Sequence, residues 1–243
     1  MVYFNDIKDS FEHGRYGFSN FLSLSDVSDF HVFQRENPFL PYTLFGGKEN
    51  CERVILRIGN KETLGYDQPF PIAIIKISPK NPRFSDELTH RDFLGSVLGL
   101  GLERTVIGDI LIEENTAYLF CIDTVAPFII ENLKKVKHTT VNVEIIEELP
   151  ALKSEEPKKI EVVVSSNRLD AIIAGACHLS RTKAQELFPA DRVYIDGRVC
   201  HDAKTVLETG KTVSIRGFGR LVLDETKGRT RKNKIRLCLS VYK

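Results

Sequence analysis

Apolar positions along the chain change period several times, and each change marks an element. Arg53 to Ile58 and Pro71 to Ile77 are short β-branched runs bounded by Gly, Pro and Asn, which predicts strands. Between Ser85 and Leu100, the residues Leu88, Phe93, Leu94, Val97 and Leu98 recur near a 3.6-residue period. This predicts a helix with Ser85 as its N-cap. Val106 to Ile112 and Ala117 to Ile122 flank the polar Glu113-Glu114-Asn115-Thr116, as the arms of a hairpin do. A second helix is expected from Ala126 to Lys137, with Pro127 in its first turn and Phe128, Ile129, Leu133 and Val136 as its stripe. Thr140 to Ile146 reads as a last strand.

The order is β-α-β-β-α-β behind a leading strand, so the fold class is α+β with a ferredoxin-like, RNA-recognition-like first domain. That arrangement serves many unrelated functions. The polar stretch Glu147 to Lys159 carries two prolines and reads as a connector. The expected organisation is an N-terminal extension, partly helical, over residues 1–50, the ferredoxin-like domain over 51–150, a linker over 151–160 and a second domain over 161–243.

In the second domain, Leu169, Ile172 and Ile173 share one face of a helix that opens at Arg168-Leu169-Asp170 and closes at Gly175. Ser180 is placed to cap a helix from Arg181 to Phe188, with Ala184, Leu187 and Phe188 inward and Arg181 and Gln185 along an adjacent face. Arg192 to Ile195 reads as a strand, Asp196-Gly197 as a hairpin turn and Arg198-Val199 as the return. A turn at Glu208 to Lys211 leads to Val213–Gly217. Two further strands, Arg220 to Asp224 and Ile235 to Tyr242, flank a basic stretch from Lys227 to Arg236, expected as a mobile loop.

Charge sharpens this division. The net charge is +1, yet Met1 to Pro150 carries 15 Lys and Arg against 22 Asp and Glu, and Ala151 to Lys243 carries 19 against 11. A basic third beside an acidic body is an electrostatic footprint for a polyanion, and RNA or DNA is its commonest partner. The residues expected at phosphate are Arg168, Ser180, Arg181, Lys183, Gln185, Arg192 and Arg198 around the two helices, with Arg216 and Arg220 beside them. Lys227, Arg229, Arg231, Lys232 and Lys234 extend the set along the basic stretch. No run of about 18 apolar residues and no secretory signal pattern occurs, so a cytoplasmic address without a membrane partner is expected. The five cysteines are odd in number and scattered, which argues against a disulfide framework. Cys177-His178 and Cys200-His201 are poor zinc ligands, because adjacent side chains rarely converge on one metal.

Catalytic signals are weak. His90-Arg91-Asp92 imitates a kinase loop, but Val97 stands where its Asn belongs and no glycine-rich phosphate loop is present. Structural or RNA-facing roles are expected for these residues, and close helix packing for Gly95 and Gly99. Tyr118 and Phe120 share a strand face without the Gly-Phe context of a base-stacking platform, so they read as core. No catalytic residue, metal or cofactor is expected.

The second domain resembles the αL-type RNA-binding module first described in the fourth protein of the small ribosomal subunit. The matching residues are Arg168-Leu169-Asp170, Ser180-Arg181 with Ala184, Val193-x-Ile195-Asp196-Gly197 and Gly210-x-x-Val213-x-Ile215. Asp191 stands where that module has Gly in a left-handed turn, a conformation Asp tolerates better than most residues. The whole chain resembles the YlmH family through Phe45-Gly46-Gly47, Glu52-Arg53, His90 to Gly95, and Gly99-Leu100-Gly101 with Ile107-Gly108-Asp109-Ile110. The resemblance implies a non-enzymatic protein that binds rRNA of the large ribosomal subunit, with tRNA as a further ligand, in quality control of stalled subunits. A weaker implied association is with cell division. Two rivals are a pseudouridine synthase, which also carries an Arg-Leu-Asp triplet, and an adaptor that docks a protein on the acidic domain.

Overall fold

The computed structural model describes residues 2–49, 51–152 and 157–242. The chain divides into two compact units, Met1–Lys153 and Ser154–Lys243. Residues 153–156 of the expected linker lie outside the described residues.

The first unit opens with α1 (Val2–Glu12), β1 (Gly17–Leu22), α2 (Leu24–Glu36), β2 (Tyr42–Phe45), β3 (Val54–Ile58) and α3 (Lys61–Leu64). Helix α2 starts in a capping box: Ser23 and Asp26 exchange hydrogen bonds with each other's backbone N–H, satisfying donors the first turn would leave orphaned. The three strands form an antiparallel sheet in the order β1-β3-β2. The run expected as a leading strand of the ferredoxin-like domain is therefore the centre of a separate sheet. One face of that sheet buries Leu22, Leu56 and Ile58 under Phe4 and Ile7 of α1 and Phe30 and Phe33 of α2.

The rest of the unit comprises β4 (Ile72–Pro79), α4 (His90–Leu98), β5 (Ile107–Glu113), β6 (Thr116–Ile122), α5 (Ala126–Asn132), β7 (Lys135–Val136) and β8 (Thr139–Ile146). Its sheet runs β5-β6-β4-β8-β7 and is antiparallel throughout. That is the ferredoxin-like order with one short edge strand added. Phe93 and Val97 of α4 and Ala126 and Ile129 of α5 pack on Ile75, Ile77, Ala117 and Leu119, so both helices cover one face.

Two helix boundaries differ from expectation. Helix α4 begins at His90, capped by Thr89 and Asp92, and Ser85 instead donates to the Pro82 carbonyl. The segment before it is held extended by long-range hydrogen bonds: Asn115 to Ser85, Asp86 and Leu88, and Asp86 to His138 and Thr139. Helix α5 ends at Asn132 because Lys135 and Val136 pair with Thr140 and Thr139. Gly95 faces open space and Gly99 meets only its own helix, so neither makes the close approach expected of it.

The two sheets of this unit are joined by Phe21, Ile55 and Phe120, all essentially buried. Gly47 sits against that junction with φ +103°, and a Cβ there would lie 2.4 Å from the Phe120 ring. Gly47→Ala is expected to destabilise the unit by about 2 kcal/mol, combining left-handed backbone strain with overpacking. Urea unfolding of the first unit checks this; a loss below about 0.5 kcal/mol would contradict the close approach.

The second unit contains β9 (Lys158–Val164), α6 (Leu169–Ala176), α7 (Arg181–Glu186), β10 (Val193–Ile195), β11 (Arg198–Val199), β12 (Thr212–Ile215), β13 (Gly219–Arg229) and β14 (Ile235–Tyr242). Its sheet order is β11-β10-β12-β13-β14-β9. Strand β9 begins inside the stretch expected as linker. Leu169, Ile172 and Ile173 of α6, with Ala184, Leu187 and Phe188 in and after α7, close a core against Val193, Val213, Leu221, Leu237 and Leu239. Helix α6 runs past Gly175 to a C-cap at Cys177, and α7 stops at Glu186, short of Phe188. Asp191 has φ 52°, the left-handed conformation expected at this position.

Candidate nucleic-acid interface

Two cations of the second unit, Arg168 and Arg181, are organised around a buried acid. Asp170 is 0% exposed. Its Oδ1 accepts from Arg168 Nε at 3.2 Å and Arg181 Nη2 at 3.3 Å. Its Oδ2 accepts from Arg168 Nη2 at 2.9 Å, Arg181 Nε at 3.1 Å and Gln185 Nε2 at 2.8 Å. Burial alone would raise the carboxyl pKa, but the hydrogen bonds from Arg181, Gln185 and Arg168 outweigh it and hold the group at about 2. The triplet expected to fix a helix start thus does something more specific. Asp170 caps nothing; it clamps two guanidiniums and an amide.

Both arginines keep an outward face, with side chains 30% and 46% exposed. Each guanidinium spends two N–H groups on Asp170, of the five that such a group offers, and two positive charges share one negative. The cluster therefore presents a fixed positive surface whose side-chain entropy is lost on folding rather than on binding an anion.

Around α7 the expected residues separate onto different faces. Ser180 is the N-cap, its hydroxyl accepting from the Lys183 backbone at 3.3 Å. Arg181 and Gln185, four apart, turn toward Asp170, whereas Lys183 lines a groove with Leu187 and Arg192. Arg192 donates to the Arg216 carbonyl at 2.8 Å. Arg216 lies over the Tyr194 ring at 5.0 Å and Arg220 over Tyr242 at 4.2 Å, so aromatic faces hold both side chains. Arg198 is exposed at the start of β11. Lys211 pairs with Asp196 at 2.7 Å and braces the turn.

The basic stretch expected as a mobile loop is a regular hairpin. Strand β13 continues to Arg229, and Arg229↔Ile235 closes the ladder with β14. Thr230 and Lys234 hydrogen-bond across the tip, where Asn233 adopts φ 57° and accepts from Arg229 Nη1 at 2.8 Å. Arg231, Lys232 and Lys234 are exposed at the tip, and Lys227 and Arg229 on the ribbon. Lys227 approaches Glu161 and Glu225 only at 3.7 and 3.8 Å, contacts worth little at an exposed site. Twist and cross-strand pairing, rather than disorder, project these charges.

The ferredoxin-like sheet presents a different picture. RNA-recognition domains stack bases on aromatic side chains of the sheet face opposite their helices. Here that face is covered by the three-stranded sheet: Phe120 is 0% and Tyr118 7% exposed, and Phe21 and Ile55 pack on the former. The two aromatics are core, as their shared parity indicates. Asp92 serves the α4 capping box and pairs with Lys137 at 2.9 Å. Hydrogen bonds from Thr89 and Lys137 hold its carboxyl at about 2, a structural role that leaves no proton to transfer near neutral pH. Among the described residues, no group of three or more metal-ligating side chains converges, and no helix is long and apolar enough to cross a membrane.

Residues 66–149 match a family described as "Putative RNA-binding domain in YlmH". A Bacillus subtilis (strain 168) protein named "Ribosome-associated protein quality control protein P2" is 34% identical over 164 residues, spanning 65% of this chain and 63% of that relative. Over these stretches the chain is similar to YlmH-type proteins, and it spans less than two thirds of the length of that relative. A solved structure titled "Cell division protein ylmH from Streptococcus pneumoniae" aligns with a TM-score of 0.48 at 21% identity, covering 60% of this chain and 86% of that one.

Two of the sequence blocks that carry the YlmH resemblance, Glu52-Arg53 and Ile107 to Ile110, meet in the first unit. Asp109 accepts from the backbone N–H groups of Glu52 at 2.7 Å and Arg53 at 3.1 Å. Arg53 donates to the carbonyls of Ile107 at 2.9 Å, Phe21 at 2.7 Å and Arg104 at 3.2 Å, and Arg104 reaches those of Ile107 and Gly108. Burial, with Arg53 nearby, brings Arg104 down to about 10, still charged at neutral pH. These residues lock the two sheets together, Asp109 through backbone N–H groups and Arg53 and Arg104 through backbone carbonyls.

Proposed function

We propose that the chain is a non-enzymatic RNA-binding protein that acts on the ribosome, holding structured RNA of the large subunit, and tRNA bound there, during quality control of stalled subunits. The observation that carries this reading is the buried Asp170 clamp, which fixes Arg168, Arg181 and Gln185 before any ligand arrives. The name of the Bacillus subtilis relative supports the ribosomal setting. A cytoplasmic location follows from it.

The enzymatic rival is disfavoured by the same geometry. A pseudouridine synthase needs its Asp open to the uridine, whereas Asp170 is sealed beneath its own partners. The acidic first unit suits a protein partner as a secondary role.

Crosslinking the full chain to cellular RNA and sequencing the contacts tests the reading. Contacts concentrated in large-subunit rRNA and tRNA are expected; contacts dominated by messenger RNA would overturn the ribosomal assignment. Pseudouridine formed on ribosomal RNA by the purified full chain would instead establish the enzyme.

A further inference from the structure

The second face of α7 borders a groove of about 440 Å³, within the ordinary range of small-ligand sites. Its apolar lining comes from Leu179, Leu187 and Phe218, and its charged walls from Lys183 and Arg192. Phe218 is 38% exposed at the turn between β12 and β13, so part of its ring stays open along the groove. That turn is fixed at both ends: Arg216 N–H donates to the Arg192 carbonyl at 2.9 Å and Phe218 N–H to that of Ile215 at 3.0 Å.

The wall is shaped for access. Arg192 is held by the Arg216 carbonyl at 2.8 Å, and Gly217 adopts φ +89°. A Cβ at Gly217 would come within 2.7 Å of the Arg192 guanidinium, so any side chain there would push the cation from its seat. Glu186 also lines the groove and places a carboxylate beside the two cations.

We propose that this groove receives one unstacked RNA nucleotide. The base lies against Phe218 over the Leu179 and Leu187 floor, its phosphate rests between Lys183 and Arg192, and Glu186 accepts an N–H from the base edge. Charge complementarity selects a nucleotide over an apolar peptide side chain, since Lys183 and Arg192 line the same groove as the ring. The carboxylate adds discrimination, because it repels phosphate and favours a base edge that donates. Arg181 and Gln185 lie on the opposite face of α7, so a strand crossing this helix meets the Asp170 clamp on one side and the groove on the other. The inference rests on the proposal that the second unit binds RNA, and it adds a shape-reading element to sequence-independent electrostatics. RNA recognition commonly works this way, with bases splayed from loops and bulges and stacked on aromatic rings.

The test uses the full chain with two hairpin RNAs that differ only by a single bulged nucleotide. Wild type should bind the bulged hairpin roughly 5- to 100-fold more tightly, the range that stacking one base supplies. Phe218→Ala should erase that preference without changing the slope of log K against log salt, and Phe218→Tyr should restore it. Lys183→Ala should lower the slope by about 0.7 to 0.9 while leaving part of the preference. Equal binding of both hairpins by wild type, with a steep salt dependence, would overturn the groove and leave the phosphate reading standing. So would a preference unaffected by Phe218→Ala. A flat salt dependence with both hairpins would instead sink the RNA-binding proposal beneath it. An unchanged melting temperature for Phe218→Ala, expected for an exposed turn residue, separates loss of the site from loss of the fold.

Discussion

Asp170→Asn is expected to lower the stability of the second unit by about 3 kcal/mol, the cost of breaking a buried, hydrogen-bonded charge cluster. For a unit of this size that corresponds to a melting temperature lower by roughly 12–20 °C. Asparagine keeps one acceptor but turns an N–H₂ group toward the donors of Arg168, Arg181 and Gln185, which now face the carboxylate. The two guanidiniums are already partly exposed and will turn to water, so RNA affinity falls together with stability. The pH dependence follows from the same cluster. The folded carboxyl sits at about 2, below the ordinary carboxylate range, so its contribution is complete above about pH 4 and is lost as pH falls toward 2. It amounts to about 2 kcal/mol. Asp92, in the first unit, is held at about 2 as well, so the difference between wild type and Asp170→Asn isolates the Asp170 limb. Thermal unfolding between pH 2 and 7 checks both points. A variant within about 0.5 kcal/mol of wild type would show that the clamp does not organise the unit.

Replacing Lys227, Arg229, Arg231, Lys232 and Lys234 together by Ala is expected to weaken RNA binding by about two orders of magnitude near physiological salt, and to flatten the salt dependence by about 2 to 4 slope units. The ribbon itself should survive. Its ladder and tip are held by backbone pairing, Thr230 and Asn233, while the ion pairs of Lys227 are long and exposed. Filter binding over a salt series, with circular dichroism as the fold control, measures the effect. Unchanged affinity with an intact fold would remove the ribbon from the interface.

These expectations divide along what local sequence can reveal. The ferredoxin-like order was readable because β4, β5, β6 and β8 are short apolar runs set off by turn residues, packed against two helices on one face. The start of α4 was not, since Asn115 and Asp86 hold the preceding segment extended through contacts across the sheet, which no periodicity records. The N-terminal sheet was hidden for another reason. A register shift between Phe18 and Phe21 breaks the period-two pattern of β1, Ser19 is buried within it, and β2 is a mostly exposed edge. In the candidate site, Arg168-Leu169-Asp170 and Ser180-Arg181 were visible as residue types. That Asp170 gathers Arg181 and Gln185, 11 and 15 residues away, required the packing of α6 on α7. Lys183 looked like a companion of Arg181 because both stand in one helical turn, and the structure turns them to different faces. Phe218 gave no signal beyond a single aromatic between glycines.

The central claim is that the second unit holds RNA through phosphate contacts made by a preorganised cationic surface. The most direct measurement is the slope of log K against log salt for the full chain binding ribosomal large-subunit RNA. With about five to eight phosphates neutralised, the slope should lie between about −4 and −7. A slope near zero would contradict the account.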